Sequence, residues 1–315
     1  MRILTLALIA ATALPLSAEP GRTGAAILSR DTGIRASALG GSGATLQNDV
    51  ESVSYNPAAM TSVLRPSLLT SYSAGFGHDN FGHISLASKL VGPAYLGLGF
   101  GYFDAGDIHL NLSDGTRETR KAAQDYYGNI ALGFKTSPLL SFGGAIKPYA
   151  LNLANQYSAS GMAYDSGALL TLDLATDHSH VFYAATTLRN LGTGVRFIEE
   201  SDPLPMTSVT AGTWQFTKLS AATGSALWRL NTTLETRQER RQDLEKAFGL
   251  EIKTFNLSEG FDWAALRLGA KYRDSFATLS LGVAWCWNKT TLNYALIRQP
   301  RDAGLDHRLS LEKRF

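Results

Sequence analysis

His307-Arg-Leu-Ser-Leu-Glu-Lys-Arg-Phe315 closes the chain. Side chains of a strand alternate between two faces, so Leu309, Leu311 and Phe315 share one face and Arg308, Ser310, Glu312 and Arg314 the other. Lys313 interrupts the apolar face, but close to the chain end it can snorkel toward a polar boundary. A soluble edge strand has the same alternation, so the opposite end of the chain must decide between the two settings.

That end reads Met1, Arg2, an apolar run Ile3–Leu16, then Ser17 and Ala18 before Glu19. A positive start, a short apolar stretch and a small residue before the break mark an export signal over 1–18. The run falls short of the roughly 20 residues a spanning helix requires. The strand ending in Phe315 resembles the signal by which outer-membrane barrels are recognised for assembly. The barrel-assembly machinery is therefore an expected partner, and the bacterial outer membrane with its lipid the expected location.

Between these ends, from about residue 66, the chain is a succession of segments of roughly 10 residues, the length of a tilted membrane strand. We read 14 of them, centred near Ser71, Ser85, Leu98, Ile130, Gly144, Leu169, Ala184, Thr210, Thr223, Gly249, Leu266, Leu281, Asn293 and Ser310. Leu266, Leu268, Ala270 and Tyr272 alternate with Arg267, Gly269, Lys271 and Arg273. Leu279, Leu281, Val283, Trp285 and Trp287 likewise alternate with Ser280, Gly282, Ala284 and Cys286. Lipid outside and a polar lumen inside demand this pattern. Arginine at Leu281 should then be rejected, and at its luminal neighbour Ser280 tolerated. Longer connections near 104–120, 149–158, 191–204, 231–242 and 298–306 follow odd strands. Tight ones near 136–138, 217–219 and 288–290 follow even strands, as an even count with both chain ends in the periplasm requires. The fold class expected is an all-β transmembrane antiparallel barrel over 66–315.

Residues 19–65 do not alternate. They are small, polar and glycine-rich, and carry Gly33-Ile-Arg-Ala, Gly40-Gly41, Ala44, Asp49 and Asn56-Pro57-Ala58. This set resembles the N-terminal segment of the long-chain fatty-acid transporter (FadL-like) superfamily. It is similar in particular to its compact branch, the uncharacterised spirochaetal-type and PorV-like proteins. The resemblance implies that 19–65 folds back into the barrel as a hatch, with Gly40, Gly41, Asp49, Asn56, Pro57 and Ala58 shaping and gating it. It also implies passive uptake of a small hydrophobic compound such as a long-chain fatty acid. The alternative is a PorV-like scaffold that serves a secretion-system protein. The short loops depart from the fatty-acid carriers, whose long outer loops form the first binding groove.

Other features carry less. Luminal Arg267, Lys271 and Arg308 could hold a carboxylate head group or pair with hatch acids such as Asp49 and Glu51, since charge inside a barrel lines a pathway or is paired. Gly97-x-Gly99-x-Gly101 lacks the following helix of a dinucleotide loop. It marks either small residues beside a hatch or a weakened third strand. Asp177-His178-Ser179-His180 has no third metal ligand nearby and reads as a polar turn. No cofactor, metal site or catalytic motif is expected, and so no enzyme. A net charge of +2 gives no reason to expect nucleic acid. Hydrophobic content of 44% and mean hydropathy of −0.06 would suit an ordinary soluble globule. It is the order of the residues that argues for a barrel.

Overall fold

The computed structural model describes residues 23–75, 79–113, 115–258, 260–299 and 304–315. The expected export signal, 1–18, lies outside them. Strands β1 (Ser67–Ala74), β2 (Asn80–Lys89) and β3 (Ala94–Asp104) open the wall. A projecting hairpin, β4 (Asp107–Asn111) and β5 (Arg117–Lys121), follows. The wall resumes with β6 (Ala123–Lys135), β7 (Leu140–Leu153), β8 (Tyr157–Asp173) and β9 (His180–Gly192). After the small pair β10 (Val195–Arg196) and β11 (Ser201–Asp202) come β12 (Thr207–Leu219), β13 (Ala226–Glu239) and β14 (Glu245–Ser258). The wall ends with β15 (Phe261–Arg273), β16 (Phe276–Trp287), β17 (Thr290–Arg298) and β18 (Leu305–Arg314). Setting aside the two small pairs, 14 strands form one closed antiparallel barrel in which β18 returns to β1. Ser67 faces Arg314 and Ala74 faces His307 across that seam. Closure leaves no unpaired edge, which in lipid would cost several kcal/mol per orphaned backbone group.

The alternation resolves as lipid demands. Leu266, Leu268, Leu279, Leu281, Leu309 and Leu311 are exposed on the outer surface, whereas Arg267, Ser280, Ser310 and Glu312 are buried inward. Lys313 does not float free. Its Nζ donates to Asn288 O and Thr290 Oγ1 at 3.1 and 3.0 Å, and so caps the neighbouring turn.

Thirteen of the 14 expected centres fall within wall strands; Thr223 does not. It sits in the turn 220–225, tied by Ser220 N to Ser225 O and by Gly224 N to Ser220 O, both 2.8 Å. The stretch 217–219 is therefore strand end, not turn, and the register shifts at Lys218/Leu219. Two expected long loops are also mostly strand. β13 continues to Glu239, and β7 and β8 meet through three residues, of which Ala154 and Asn155 have positive φ. The polar character of Thr233, Glu235 and Arg237, read as loop, comes from luminal packing.

The third strand is regular. β3 pairs without a break to both β2 and β6. A Cβ at Gly97 would lie 2.5 Å from Met60 Sδ, and one at Gly101 would strike the Tyr127 ring. Its glycines make room for the lumen's contents and do not open the wall. The His-rich stretch lies in the turn 174–179, where His178 has φ 57 and contacts Asp173. His180 instead begins β9 and packs on Trp214 and Phe216.

Candidate functional site

The lumen holds the segment before β1. It runs as a 3-10 turn (Ala26–Ser29), helix α1 (Ile34–Ala38), helix α2 (Ser52–Tyr55) and a second 3-10 turn (Ala59–Ser62). Helices this short are not stable alone; packing against the wall supplies what propensity does not. Ile34, Val50, Val53, Ala58 and Met60 are all at most 2% exposed. The described chain begins at the loop-bearing rim, where Gly24 N donates to Pro203 O at 3.0 Å. It reaches the opposite rim at β1, beside Phe315, whose N donates to Pro66 O. Gly24 and Phe315 thus lie at opposite rims. The parity of the strands is unaffected, because β1 itself starts at the C-terminal rim.

Local chemistry fixes the hatch. α1 begins without a side-chain cap of its own. Glu51 serves instead, accepting from Arg35 N at 2.8 Å and Ala36 N at 3.0 Å, where a helix leaves donors unsatisfied. Burial, reinforced by nearby Asp49, pushes the Glu51 carboxyl up to about 8 against those donors. Asp49 accepts from Glu51 N at 2.9 Å and pairs with Arg35 at 3.1 Å. Past α1 the chain must turn sharply, and Gly40 and Gly41 do so with φ of 71° and 89°. A Cβ on wall residue Gly269 would lie 2.1 Å from Gly40 N, so the two glycines permit backbone-to-backbone contact. Asn56 is fully buried; Oδ1 accepts from Ala58 N at 3.0 Å and Nδ2 donates to Ala44 O at 2.8 Å. Pro57 then rests on β6 and β7, where a Cβ at Gly133 or Gly143 would come within 2.7 Å of its backbone.

Two charged clusters join hatch to wall. In the first, fully buried Glu251 accepts from Arg35 Nε and Nη2 at 2.9 and 2.7 Å. It also accepts from Arg267 Nε at 2.7 Å and Asn231 Nδ2 at 2.9 Å. In the second, Glu235 accepts from Gly43 N and Ala44 N, each at 3.0 Å. Arg237 meanwhile donates to Gly41 O at 2.8 Å and pairs with Asp31 at 3.4 Å. Burial acts upward on the Asp31 carboxyl, yet Lys271, Arg237 and Arg308 together hold it well below the usual range.

The three luminal cations named from sequence do face inward, and each is engaged. Arg267 has Glu251 and Asn293; Lys271 lies 3.7 Å from Asp31; Arg308 donates to Ser37 Oγ and pairs with Asp306. Lys271 and Arg308 both lie near Asp31, whereas Arg267 joins the Glu251 cluster. Ser280, expected to tolerate arginine, donates to Ala38 O at 3.1 Å and accepts from Gly40 N at 3.2 Å. It is part of the hatch seat, so that expectation fails. Glu235, Arg237 and Glu251 were missed as site residues. Charges in register with luminal neighbours, between outward Leu234, Phe248 and Ile252, were the available signal.

The hatch has different surroundings at its two ends. Toward the loop-bearing rim, Ala25, Ile27 and Leu28 fill an apolar ring made of Phe81, Tyr127, Tyr149, Leu151, Val195 and Leu204. Toward the C-terminal rim, a cavity of about 520 Å³ opens beneath the hatch, and its lining includes Arg35, Arg229, Lys253, Glu251 and Phe255.

These features define the class: a transmembrane barrel sealed by its own N-terminal hatch. Several solved structures are similar to it over nearly their full length. The toluene transporter TbuX of Ralstonia pickettii has a TM-score of 0.56 at 11% identity, over 90% of this chain and 98% of that one. The toluene transporter TodX of Pseudomonas putida gives 0.55 at 11%, with the same coverage. A FadL homologue of Pseudomonas aeruginosa gives 0.50 at 11%, over 95% and 98%. The fold is that of the FadL-type hydrocarbon channels. No family model and no curated protein matches the chain.

Proposed function

We propose that the chain carries small hydrophobic compounds, long-chain fatty acids among them, passively across a bacterial outer membrane into the periplasm. The apolar ring around Ile27 and Leu28 is the observation that carries this reading. A hydrophobic compound arriving from the loop side exchanges one apolar contact for another when it displaces those side chains. Each methylene it buries contributes about 0.8 kcal/mol, so long chains compete without specific contacts. The seat of the hatch at Gly40, Gly41, Asp49 and Asn56-Pro57-Ala58 then sets how far the segment moves before the compound reaches the cavity beneath. The structural neighbours, transport channels and not enzymes, support the same reading.

The test compares uptake of labelled fatty acid and labelled toluene by cells with the protein and with empty vector. Uptake above vector is expected, and Asn56→Gly/Pro57→Gly should alter it while leaving a barrel with heat-modifiable mobility. Uptake equal to vector for both compounds refutes the carrier. The same cells report whether the mature chain begins at Glu19 in the outer-membrane fraction, and whether loss of Phe315 slows assembly.

A second reading, the secretion scaffold, is favoured by one feature: the β10–β11 loop presents Ile198, 65% exposed, beside Glu199 and Glu200. A secretion component that co-purifies with the wild type and is lost with Ile198→Asp would support it.

A further inference from the structure

We infer that His83, Ser85 and Asn129 form a binding site for the hydroxyl of a neutral, largely apolar compound such as a phenol, and that the hatch fills this site with its own Ser54 until such a compound arrives. The inference deepens the carrier reading and rests on it, because it names the class of compound carried. On the luminal face, β2 and β6 stand on either side of β3. Gly99 of β3 faces Ser85 on one side and Asn129 on the other, and Gly101 faces His83 and Tyr127. A Cβ at Gly99 would meet Asn129 Cβ at 3.2 Å, His83 Nε2 at 3.5 Å and Ser85 Oγ at 3.7 Å. Three neutral polar side chains from two strands thus converge over one glycine of a third.

All three are buried, with Ser85 and Asn129 1% exposed and His83 4%. Buried polar atoms are nearly always hydrogen-bonded, and here the wall does not achieve that alone. His83 Nε2 shares a hydrogen bond with Ser54 Oγ at 3.3 Å, and Asn129 Nδ2 donates to Val53 O at 3.0 Å. Both of those partners belong to the hatch. Asn129 Oδ1 has no partner among the described residues, so the cluster lacks one donor even with the hatch in place. Phe81 and Tyr127, two members of the apolar ring, stand one luminal row nearer the loop-bearing rim. The His83 ring lies nearly parallel to both, at 14° and 19°. A compound that displaces Ile27 and Leu28 meets these aromatic faces first, and then the groups that Ser54 and Val53 release as the hatch yields. A hydrocarbon leaves those groups unpaired at their full desolvation cost. A hydroxyl both donates and accepts, so it replaces Ser54 at His83 and supplies the donor that Asn129 Oδ1 lacks.

Titration calorimetry on the folded protein in neutral detergent tests this with p-cresol and toluene, which differ by one hydroxyl. p-Cresol should bind wild type roughly tenfold or more tighter than toluene, as one buried hydrogen bond made or left unmade requires. Asn129→Leu and His83→Phe should each remove the preference and leave toluene affinity unchanged. Ser54→Ala should strengthen p-cresol binding, because the hydroxyl that competes for the site is gone; a merely structural Ser54 would give no gain. Heat-modifiable mobility checks folding, and Ser54→Ala, which leaves the wall intact, decides the matter if a wall variant does not close. Equal affinity for the two compounds in wild type overturns the site. So does a preference that survives in both wall variants, or p-cresol binding that Ser54→Ala leaves unchanged or weakens. Uptake of labelled toluene by cells, measured in parallel, separates the two levels. Uptake above vector without a p-cresol preference removes this site alone, whereas uptake equal to vector removes the carrier reading and leaves the binding result standing.

Discussion

Replacing Glu251 by glutamine should unseat the hatch without opening the barrel. The carboxylate is fully buried and receives four hydrogen bonds, two from Arg35 of the hatch and one each from Arg267 and Asn231 of the wall. Glutamine keeps the shape but removes the charge, and turns one acceptor into a donor aimed at guanidinium groups. Breaking a buried ion pair by removing one partner costs about 3–5 kcal/mol. Arg35 keeps Asp49 and Arg267 keeps Asn293, so the lower figure is the better guide. The strand ladders on either side of Glu251 are backbone bonds and are untouched. The loss should therefore fall on hatch docking, and about 3 kcal/mol raises the undocked population roughly a hundredfold. Amide hydrogen exchange of 34–56 reads this directly, with the barrel strands as internal reference. Arg35→Gln should act the same way, and the double variant should cost less than the sum because both changes remove one interaction. Unchanged exchange over 34–56 in both single variants would refute the pinning role.

Three further outcomes follow from the same geometry. Leu281→Arg, on the lipid face, should cost about 2–4 kcal/mol at the bilayer midplane, and Thr278→Arg, on the luminal face, much less; equal folded fractions in vesicles would mean the faces are reversed. Gly269→Val suits a strand but puts a Cβ 2.1 Å from Gly40 N, so the barrel should close with its hatch displaced and conduct more in planar bilayers; wild-type conductance would contradict the close seat. The buried Glu51 carboxyl, raised from its ordinary 4.5 to about 8, favours its protonated form in the docked state. Its contribution is full below 4.5 and lost as pH rises through about 8, so exchange over 34–56 should quicken across that window and Glu51→Gln should flatten the trend.

Much of the barrel was legible because lipid imposes a simple rule on a strand: one face apolar, the other not. Where that rule acts alone, as in Leu266–Tyr272 or Leu279–Trp287, the sequence order marked strand, face and register together. It failed where a second demand overlays it. Glu235 and Arg237 made β13 read as loop, because their polarity answers the hatch backbone and not solvent. At Ala221–Thr223 small residues carry no face at all, so the turn and the strand could not be told apart.

The sequence by itself determined the class, through the alternation and the final strand, because each is a local pattern readable within some ten residues. It also set the stretch before the first strand apart from the wall, since that stretch lacks any period. Only the tertiary structure decided which charges meet. Arg35 finds Glu251 across 216 residues, and Arg267, read as a partner for a head group or a hatch acid, pairs with wall residue Glu251 in the same cluster. A strand fixes which way a side chain points, but the closure of the barrel and the path of the hatch fix what stands opposite it. Those depend on every connection in the chain at once, and no local pattern carries them.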